Sequence, residues 1–456
     1  MKMKTARTFY VCGGCGSVFS RWMGRCPDCG AWNSLQEEKE PTRPHRPGTG
    51  SRRGSPSPTV TPLAEVSSSA AGVIAAGIGE FDTVLGGGAV PGSTVLIGGE
   101  PGIGKSTLLL QVAGRFAQRG IGTLYVSGEE SAAQIKLRAD RLGIRSNIGL
   151  LTETDLTVIL AALDKAAPRV LILDSIQTTF DPELQSTPGT VSQVRECAVA
   201  IGSWARAHDA VAIMIGHVTK DGFIAGPKVL EHLVDTVLQF EGDRRQWIRI
   251  LRCLKNRFGS THEVGLFEMG ESGLKEVTDP SGHFLSGEAA PGPGTAVAVA
   301  IEGRRPLLLE VQALVGHSGG ASAPQRVVSG LDQRRVAILT AVLHNVAGIQ
   351  LAGRDIYVNI IGGFVTDEPA VDLAAAIAIA SAALKKPVAP RSVYIGEVGL
   401  AGEIRHVPQL ERRLIEAEKI GFRSAIVPPI NAREINYAGE LDLHPAGRIG
   451  QVLADL

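Results

Sequence analysis

At 456 residues the chain is long enough for two or three domains, and a 44% hydrophobic content can bury substantial cores. The 46 Lys and Arg balance the 46 Asp and Glu, so the overall charge neither supports nor excludes a polyanionic partner. Six cysteines do not make a disulfide framework in so long a chain, and the most apolar run, Ala374 to Leu384, is far short of the ~20 residues of a membrane span.

Residues 1–34 read as a small cysteine unit. Cys12-Gly13-Gly14-Cys15 and Cys26-Pro27-Asp28-Cys29 are two C-x-x-C knuckles separated by ten residues, each followed by glycine. Four thiolates at this spacing suit tetrahedral Zn2+, and a segment this short cannot bury a core without such a staple. Arg7, Arg21, Trp22 and Arg25 are either nucleic-acid contacts or solvated charges around a packed tryptophan. The N-terminus opens on charges and cysteines rather than an apolar segment, which fits no signal peptide, and a cytoplasmic location is expected. Residues 1–60 carry ten Lys and Arg against four Asp and Glu. Residues 35–66 are rich in Pro, Ser, Thr, Gly and Arg without apolar periodicity, the composition of a disordered linker.

From 67 to 288 short apolar runs alternate with helical patterns, as in an α/β sheet. Val95-Leu96-Ile97 reads as a buried strand and Thr107 to Arg119 as a helix. Between them Gly99-Glu100-Pro101-Gly102-Ile103-Gly104-Lys105-Ser106 matches G-x-x-x-x-G-K-[ST], a loop whose backbone N–H groups cradle phosphates. Lys105 is expected to reach the β- and γ-phosphates of ATP, with ADP as product, and the Ser106 hydroxyl to ligate Mg2+; Thr107 completes the binding stretch. Leu124 to Ser127 reads as a strand ending at Glu129 and Glu130. Val170 to Asp174 is an apolar strand ending in a carboxylate suited to holding Mg2+, and Val211 to Ile215 is a further strand leading to His217.

This order resembles the RecA-type ATPase core. The resemblance implies that Glu129 polarises the attacking water, with Glu130 as the alternative because adjacent glutamates leave the register open. It implies a γ-phosphate sensor role for His217, and a DNA-facing loop from Val218 to Lys228. After the strand Ile248 to Leu254 comes Lys255-Asn256-Arg257-Phe258-Gly259, two cations at alternate positions of an extended segment. Arg252 lies on the same strand, a concentration of positive charge that a surface strand seldom carries with no anion partner. K-N-R-F-G behind a RecA-type core and a four-cysteine knuckle resembles the bacterial RadA (Sms) family. A similar segment in the replicative hexameric helicases implies that Lys255 and Arg257 reach the γ-phosphate held by a neighbouring subunit.

Residues 289–456 follow Pro291-Gly292-Pro293-Gly294, a boundary signal. Ala296 to Ile301, Leu307 to Leu314 and Asp355 to Ile361 read as strands, Asp332 to Val346 and Asp372 to Leu384 as helices. The segment resembles the proteolytic domain of Lon, with its nucleophilic serine falling on Ala370 and its lysine on Glu411. An alanine has no hydroxyl to attack a carbonyl and a glutamate is no amine base, so no peptidase activity is expected. The resemblance implies instead a hexamerisation platform, which Arg304, Arg305, Arg326, Arg334, Arg335 and Arg354 would line for DNA.

The expected fold is therefore α/β, a RecA-like P-loop ATPase core with a C-terminal Lon-like domain and an N-terminal zinc knuckle. The resemblance to the RadA family implies a ring-shaped, hexameric, DNA-dependent ATPase that cooperates with RecA on single-stranded and branched DNA and moves recombination branches. The alternative is a non-proteolytic regulatory ATPase of KaiC-like type.

Overall fold

The computed structural model describes residues 8–12, 18–27, 30, 32–39, 72–216, 228–242, 248–278, 281–285, 292–317, 324–429 and 437–456. The chain divides into two compact units, residues 1–244 with 249–276 and residues 245–248 with 277–456.

At the N-terminus β1 (Thr8–Cys12) pairs antiparallel with both β2 (Val18–Phe19) and β3 (Leu35–Lys39). The last of these corrects the expected start of the linker. Residues 35–39 are polar enough to read as coil, yet Leu35 is buried beside Cys12 and Cys26 and the segment is held by main-chain pairing from Thr8↔Lys39 to Cys12↔Leu35. Ladder bonds are indifferent to side-chain polarity, which is why composition misses them.

The rest of the first unit runs α1 (Gly79–Val84), β4 (Thr94–Gly99), α2 (Lys105–Gln118), β5 (Thr123–Ser127), α3 (Ala132–Arg141), β6 (Gly149–Thr152), α4 (Leu156–Ala166), β7 (Val170–Asp174), α5 (Val191–Ala207) and β8 (Val211–Ile215). Beyond α6 (Lys228–Leu233) come β9 (Thr236–Glu241), β10 (Ile248–Asn256), β11 (Val264–Gly270) and β12 (Gly273–Glu276). They form one sheet in the order β12-β11-β10-β9-β4-β8-β7-β5-β6. The strands from β9 to β6 in this order are parallel, and β10 returns antiparallel to β9.

The continuous apolar runs of β4, β7 and β8 are buried at every position, as parallel strands covered on both faces must be. Alternation along β4 divides the core. Val95 and Ile97 face the layer of Leu109, Val112 and Phe116 from α2, whereas Leu96 faces Leu163, Ile201 and Trp204 from α4 and α5. Ser131 and Gln134 close a reciprocal capping box on α3, and the Asp155 carboxylate caps α4.

The second unit opens with α7 (Ser281–Phe284), β13 (Thr295–Glu302), β14 (Arg305–His317), β15 (Arg326–Ser329), α8 (Gln333–Asn345), β16 (Arg354–Ile360) and α9 (Asp372–Leu384). It continues through β17 (Ser392–Tyr394), the short pair β18 (Glu397–Val398) and β19 (Ile404–Arg405), α10 (Leu410–Ile420), β20 (Ser424–Val427), β21 (Asp442–Pro445) and α11 (Ile449–Ala454). Its main sheet has the order β15-β16-β14-β13-β17-β20-β21. The alanine-rich α9 packs across β13 and β14 and is buried from Asp372 to Ser381, its small side chains allowing close approach to the sheet. Both expected helices of this region are present, and the Asp332 carboxylate caps α8 by accepting from the Arg335 N–H. No described helix is long and apolar enough to cross a membrane.

Candidate nucleotide site and its flanking cations

Three parallel strands, β4, β7 and β5, end at one edge of the sheet, with β8 between β4 and β7, and deliver the site, which is where open α/β sheets place their ligands. β4 runs into the loop Gly99 to Ser106, β5 into Gly128-Glu129-Glu130, and β7 ends on Asp174. Ser127 lies opposite Asp174 in the ladder, and the Gly128 N–H donates to the Asp174 carbonyl at 2.9 Å. β8 ends beside them at Ile215, but His217 and most of the Val218 to Lys228 loop lie outside the described residues.

The loop turns on glycine. Gly102 and Gly104 have φ of +79° and +116°, and a Cβ on Gly104 would meet the Met269 methyl at 2.6 Å. Ile103 is buried beneath the loop, and Gly104 opens α2. The Lys105 ammonium donates to the Gly99 carbonyl at 2.7 Å and the Glu100 carbonyl at 2.9 Å, and the residue is 4% exposed. Burial pushes its pKa down to about 8, against the opposing pull of Asp174, Glu129 and Glu100. Asp174 is likewise buried; loss of hydration pushes its carboxyl up, and hydrogen bonds from Tyr125 and Ser106 act against that rise. A cradle of turned backbone, a buried cation and a hydroxyl bonded to a carboxylate together fit a triphosphate with Mg2+ held by Ser106 and Asp174. Pro101 and Thr107 lie on the same loop and first helical turn.

The two adjacent glutamates differ in surroundings. Glu129 accepts from the Ser175 hydroxyl at 2.6 Å and is close enough to raise the Lys105 pKa. Glu130 is bound to the guanidinium of Arg138 on α3, and its N–H donates to Ser127 Oγ at 3.1 Å. Sequence reasoning missed Tyr125, whose hydroxyl donates to Asp174 at 2.6 Å. The available signal was a single phenol between the aliphatics Leu124 and Val126 of a buried strand. It also missed Ser175 and Arg138, which carry no local pattern.

Lys255 and Arg257 stand elsewhere. β9 follows β4 in parallel from Val95↔Thr236 to Gly99↔Phe240, and β10 returns so that Asn256 meets Thr236. Their end of β10 therefore lies at the start of β4, and the phosphate loop at its finish, about 17 Å away by strand rise. A bulge between Cys253 and Lys255 interrupts the simple alternation, yet both cations turn to the segment before β9. Lys255 Nζ donates to the Glu231 and Val234 carbonyls at 2.6 and 2.8 Å, and Arg257 Nη1 to Asp235 at 3.1 Å. Burial and the neighbouring Arg257 hold the Lys255 pKa below the ordinary lysine value. Arg252, part of the same concentration of charge, has an anion partner within the chain. Its Nε donates to Glu241 at 2.6 Å, a cross-strand pair that sequence spacing alone does not reveal.

In the N-terminal unit Cys12 and Cys26 are almost wholly buried in one small cluster with Leu35, and the Gly30 N–H donates to the Cys26 carbonyl at 2.9 Å. Two thiols turned into one core fit half of a sulfur donor set for zinc; Cys15 and Cys29 lie outside the described residues. Trp22 is not packed but 54% exposed, as is Trp32 at 72%, with the Arg25 guanidinium 5.7 Å over the Trp32 ring. Cys197 and Cys253 sit in cores, and burial pushes their thiols up to about 12 and about 11.

In the second unit Ala370 is 1% exposed, just before α9, and Glu411 lies in the first turn of α10. The cation buried in that neighbourhood is Arg413, which pairs with Glu368. Of the arginines expected to line a DNA path, Arg335 is instead paired with the buried Asp372, and Arg305 donates to the Val277 and Thr278 carbonyls at 3.2 and 3.3 Å. A carboxylate that must be buried at the start of α9 needs a partner, and Arg335 supplies it.

Three family models match the chain: an AAA domain over residues 60–222, a rubredoxin metal binding domain over 10–37, and subunit ChlI of Mg-chelatase over 323–431. The DNA repair protein RadA of Bacillus subtilis is 45% identical over 94% of this chain and 94% of its own length. That of Pseudomonas aeruginosa is 46% identical over 99% of each. Among solved structures, the KaiC-like protein PH0186 of Pyrococcus horikoshii is 21% identical, covering 45% of this chain and 99% of that one at a TM-score of 0.38. The fold is thus a RecA-like P-loop ATPase with a zinc ribbon before it and a ChlI/Lon-like region after it, and ATP, Mg2+ and zinc are its cofactors.

Proposed function

Because this chain belongs to the family of the DNA repair protein RadA, we propose that it is a DNA-dependent ATPase whose subunits close a six-membered ring on DNA and drive branch migration. In this reading Lys105 holds the β- and γ-phosphates and Glu129, oriented by Ser175, takes the attacking water's proton. Ser106 and Asp174 hold Mg2+, which supplies charge neutralisation at the phosphates. His217 reports the γ-phosphate to the loop behind it, which faces DNA. Lys255 and Arg257 serve the neighbour's nucleotide, and RecA is the partner in recombination.

One observation carries the oligomeric part. The phosphate loop and the Lys255–Arg257 pair occupy opposite ends of β4, so one protomer cannot bring them to the same phosphate. A head-to-tail arrangement of subunits joins the two ends, and a closed ring satisfies every site. Arg21, Trp22, Arg25 and Trp32 on the zinc ribbon offer cations and exposed rings suited to nucleic acid.

The test is unwinding of branched DNA by the wild type and Lys105→Ala. ATP-dependent unwinding by the wild type, with turnover strongly stimulated by single-stranded DNA, supports the motor. Wild-type unwinding by Lys105→Ala, or assembly and turnover indifferent to DNA, overturns it.

A further inference from the structure

The cations assigned to the neighbour's nucleotide are not loose on the surface. Asp235 is 7% exposed and makes contacts in two directions. One carboxylate oxygen accepts from Arg257 Nη1 at 3.1 Å, and the Asp235 carbonyl accepts from the Arg257 N–H at 3.1 Å. The other carboxylate oxygen accepts from the Thr94 N–H at 3.0 Å and the Thr94 hydroxyl at 2.9 Å, while the Asp235 N–H returns a bond to the Thr94 carbonyl at 3.1 Å. Thr94 is the first residue of β4, the strand whose far end becomes the phosphate loop. Beside this, the Lys255 ammonium is seated on the Glu231 and Val234 carbonyls.

A guanidinium that is half exposed on a long side chain samples many rotamers unless something holds it. A buried carboxylate fixed by two donors from β4 restricts one side of that search. We propose that Asp235 is the positioning residue for Arg257. It aims the guanidinium outward from the start of β4, so that one rigid strand spans a protomer's own phosphate loop and the finger it offers to the next. The inference rests on Arg257 acting in trans. Asp235 itself does not touch the nucleotide. Removing its charge leaves ATP binding intact and lowers turnover, because a misplaced catalytic group costs rate rather than affinity; an error near 1 Å costs about 100-fold.

The experiment uses full-length protein carrying Asp235→Asn, with Thr94→Val as a milder variant that removes only the hydroxyl's two bonds, its donation to the Asp235 carboxylate and its acceptance from the Asp235 N–H, and keeps the Thr94 N–H donor. Steady-state ATPase is measured alone and in mixtures with Glu129→Gln, whose finger is intact and whose own site is dead. Asp235→Asn is expected to lower kcat roughly 10- to 100-fold with KM within about twofold, and Thr94→Val to lower it less. Mixing with Glu129→Gln restores turnover, since its finger serves the Asp235→Asn site. A general folding defect would not be rescued by that subunit. Wild-type kcat for Asp235→Asn while Arg257→Ala is inactive overturns the inference, as does loss of turnover that Glu129→Gln fails to rescue while it rescues Arg257→Ala. If Arg257→Ala itself is not rescued, the trans reading has failed, and that outcome is separately visible. Should Asp235→Asn prove unstable by thermal melting, the Thr94→Val mixture decides the question by the same comparison.

Discussion

Lys105 in the first unit and Arg413 in the second are both almost wholly buried, at 4% and 1% exposed, and both lie near the start of a helix that packs on a sheet. Their surroundings differ in one respect that decides their use. Among the described residues Lys105 donates to two neutral carbonyls and to no carboxylate, so its charge is not cancelled by a bonded anion and one N–H of three remains for a ligand. Arg413 donates from Nε to the Pro408 carbonyl at 3.1 Å, from Nη1 to the Val299 carbonyl, and from Nη2 to Glu368, whose other oxygen accepts from the Ile301 N–H. There the charge is cancelled within the fold by a bonded carboxylate. Burial of a cation alone does not mark a site; burial with charge left over does.

The contrast can be broken most sharply at Lys105. Lys105→Ala should lower ATP turnover by a factor on the order of 1,000 or more while the first unit melts at nearly the wild-type temperature, because the charge served the phosphates and not the fold. Substantial residual turnover would erase the distinction from Arg413. The adjacent glutamates sharpen it. Glu129→Gln should lower single-turnover hydrolysis by roughly 100- to 10,000-fold, whereas Glu130→Gln, which breaks only the pair with Arg138, should change it far less. Equal losses for both variants would mean that the glutamates' differing bonds do not assign the base.

Arg413→Met tests the other side. It leaves the half-buried Glu368 without its cation and the Pro408 and Val299 carbonyls without their donor, and should destabilise the second unit by about 1–3 kcal/mol with ATPase chemistry at the nucleotide site retained. Hydrogen exchange over β13 and α10 reads that loss, and Glu368→Gln in the same chain should return part of it. Unchanged exchange would show that the pair contributes nothing to the fold. The smallest effect is with pH. Without nucleotide the Lys105 ammonium loses its proton as pH rises through about 8, and the neutral amine attracts phosphate less. ATP affinity should be flat from about pH 6.5 to 7.5, then fall by up to about tenfold per unit above 8, with proton uptake on binding. Constant affinity up to about pH 9.5 would falsify this assignment.

Much of the site could be read along the chain because it is built from consecutive residues. The phosphate loop is one motif flanked by an apolar strand and a helix, Asp174 closes a run of buried aliphatics, and Glu129 follows two residues after β5. What could not be read were the contacts between neighbouring strands. Tyr125 meets Asp174 across two strands, Arg252 meets Glu241 across a hairpin, and Leu35–Lys39 becomes a strand by pairing with Thr8–Cys12. None of these partners is announced by composition or period, since each depends on the register of the sheet that joins them.

The amino-acid order by itself determined the class of chemistry and the order of the elements, because glycine spacing and apolar periodicity act within one turn or one strand. Only the tertiary structure decided that Glu130 is taken up by Arg138, that Arg335 and Arg413 are spent on carboxylates of their own unit, and that Lys255 and Arg257 stand at the far end of β4 from the phosphate loop. The reason is the same in each case: a charge's role depends on the field and the partners around it, and those are set by which strands lie side by side.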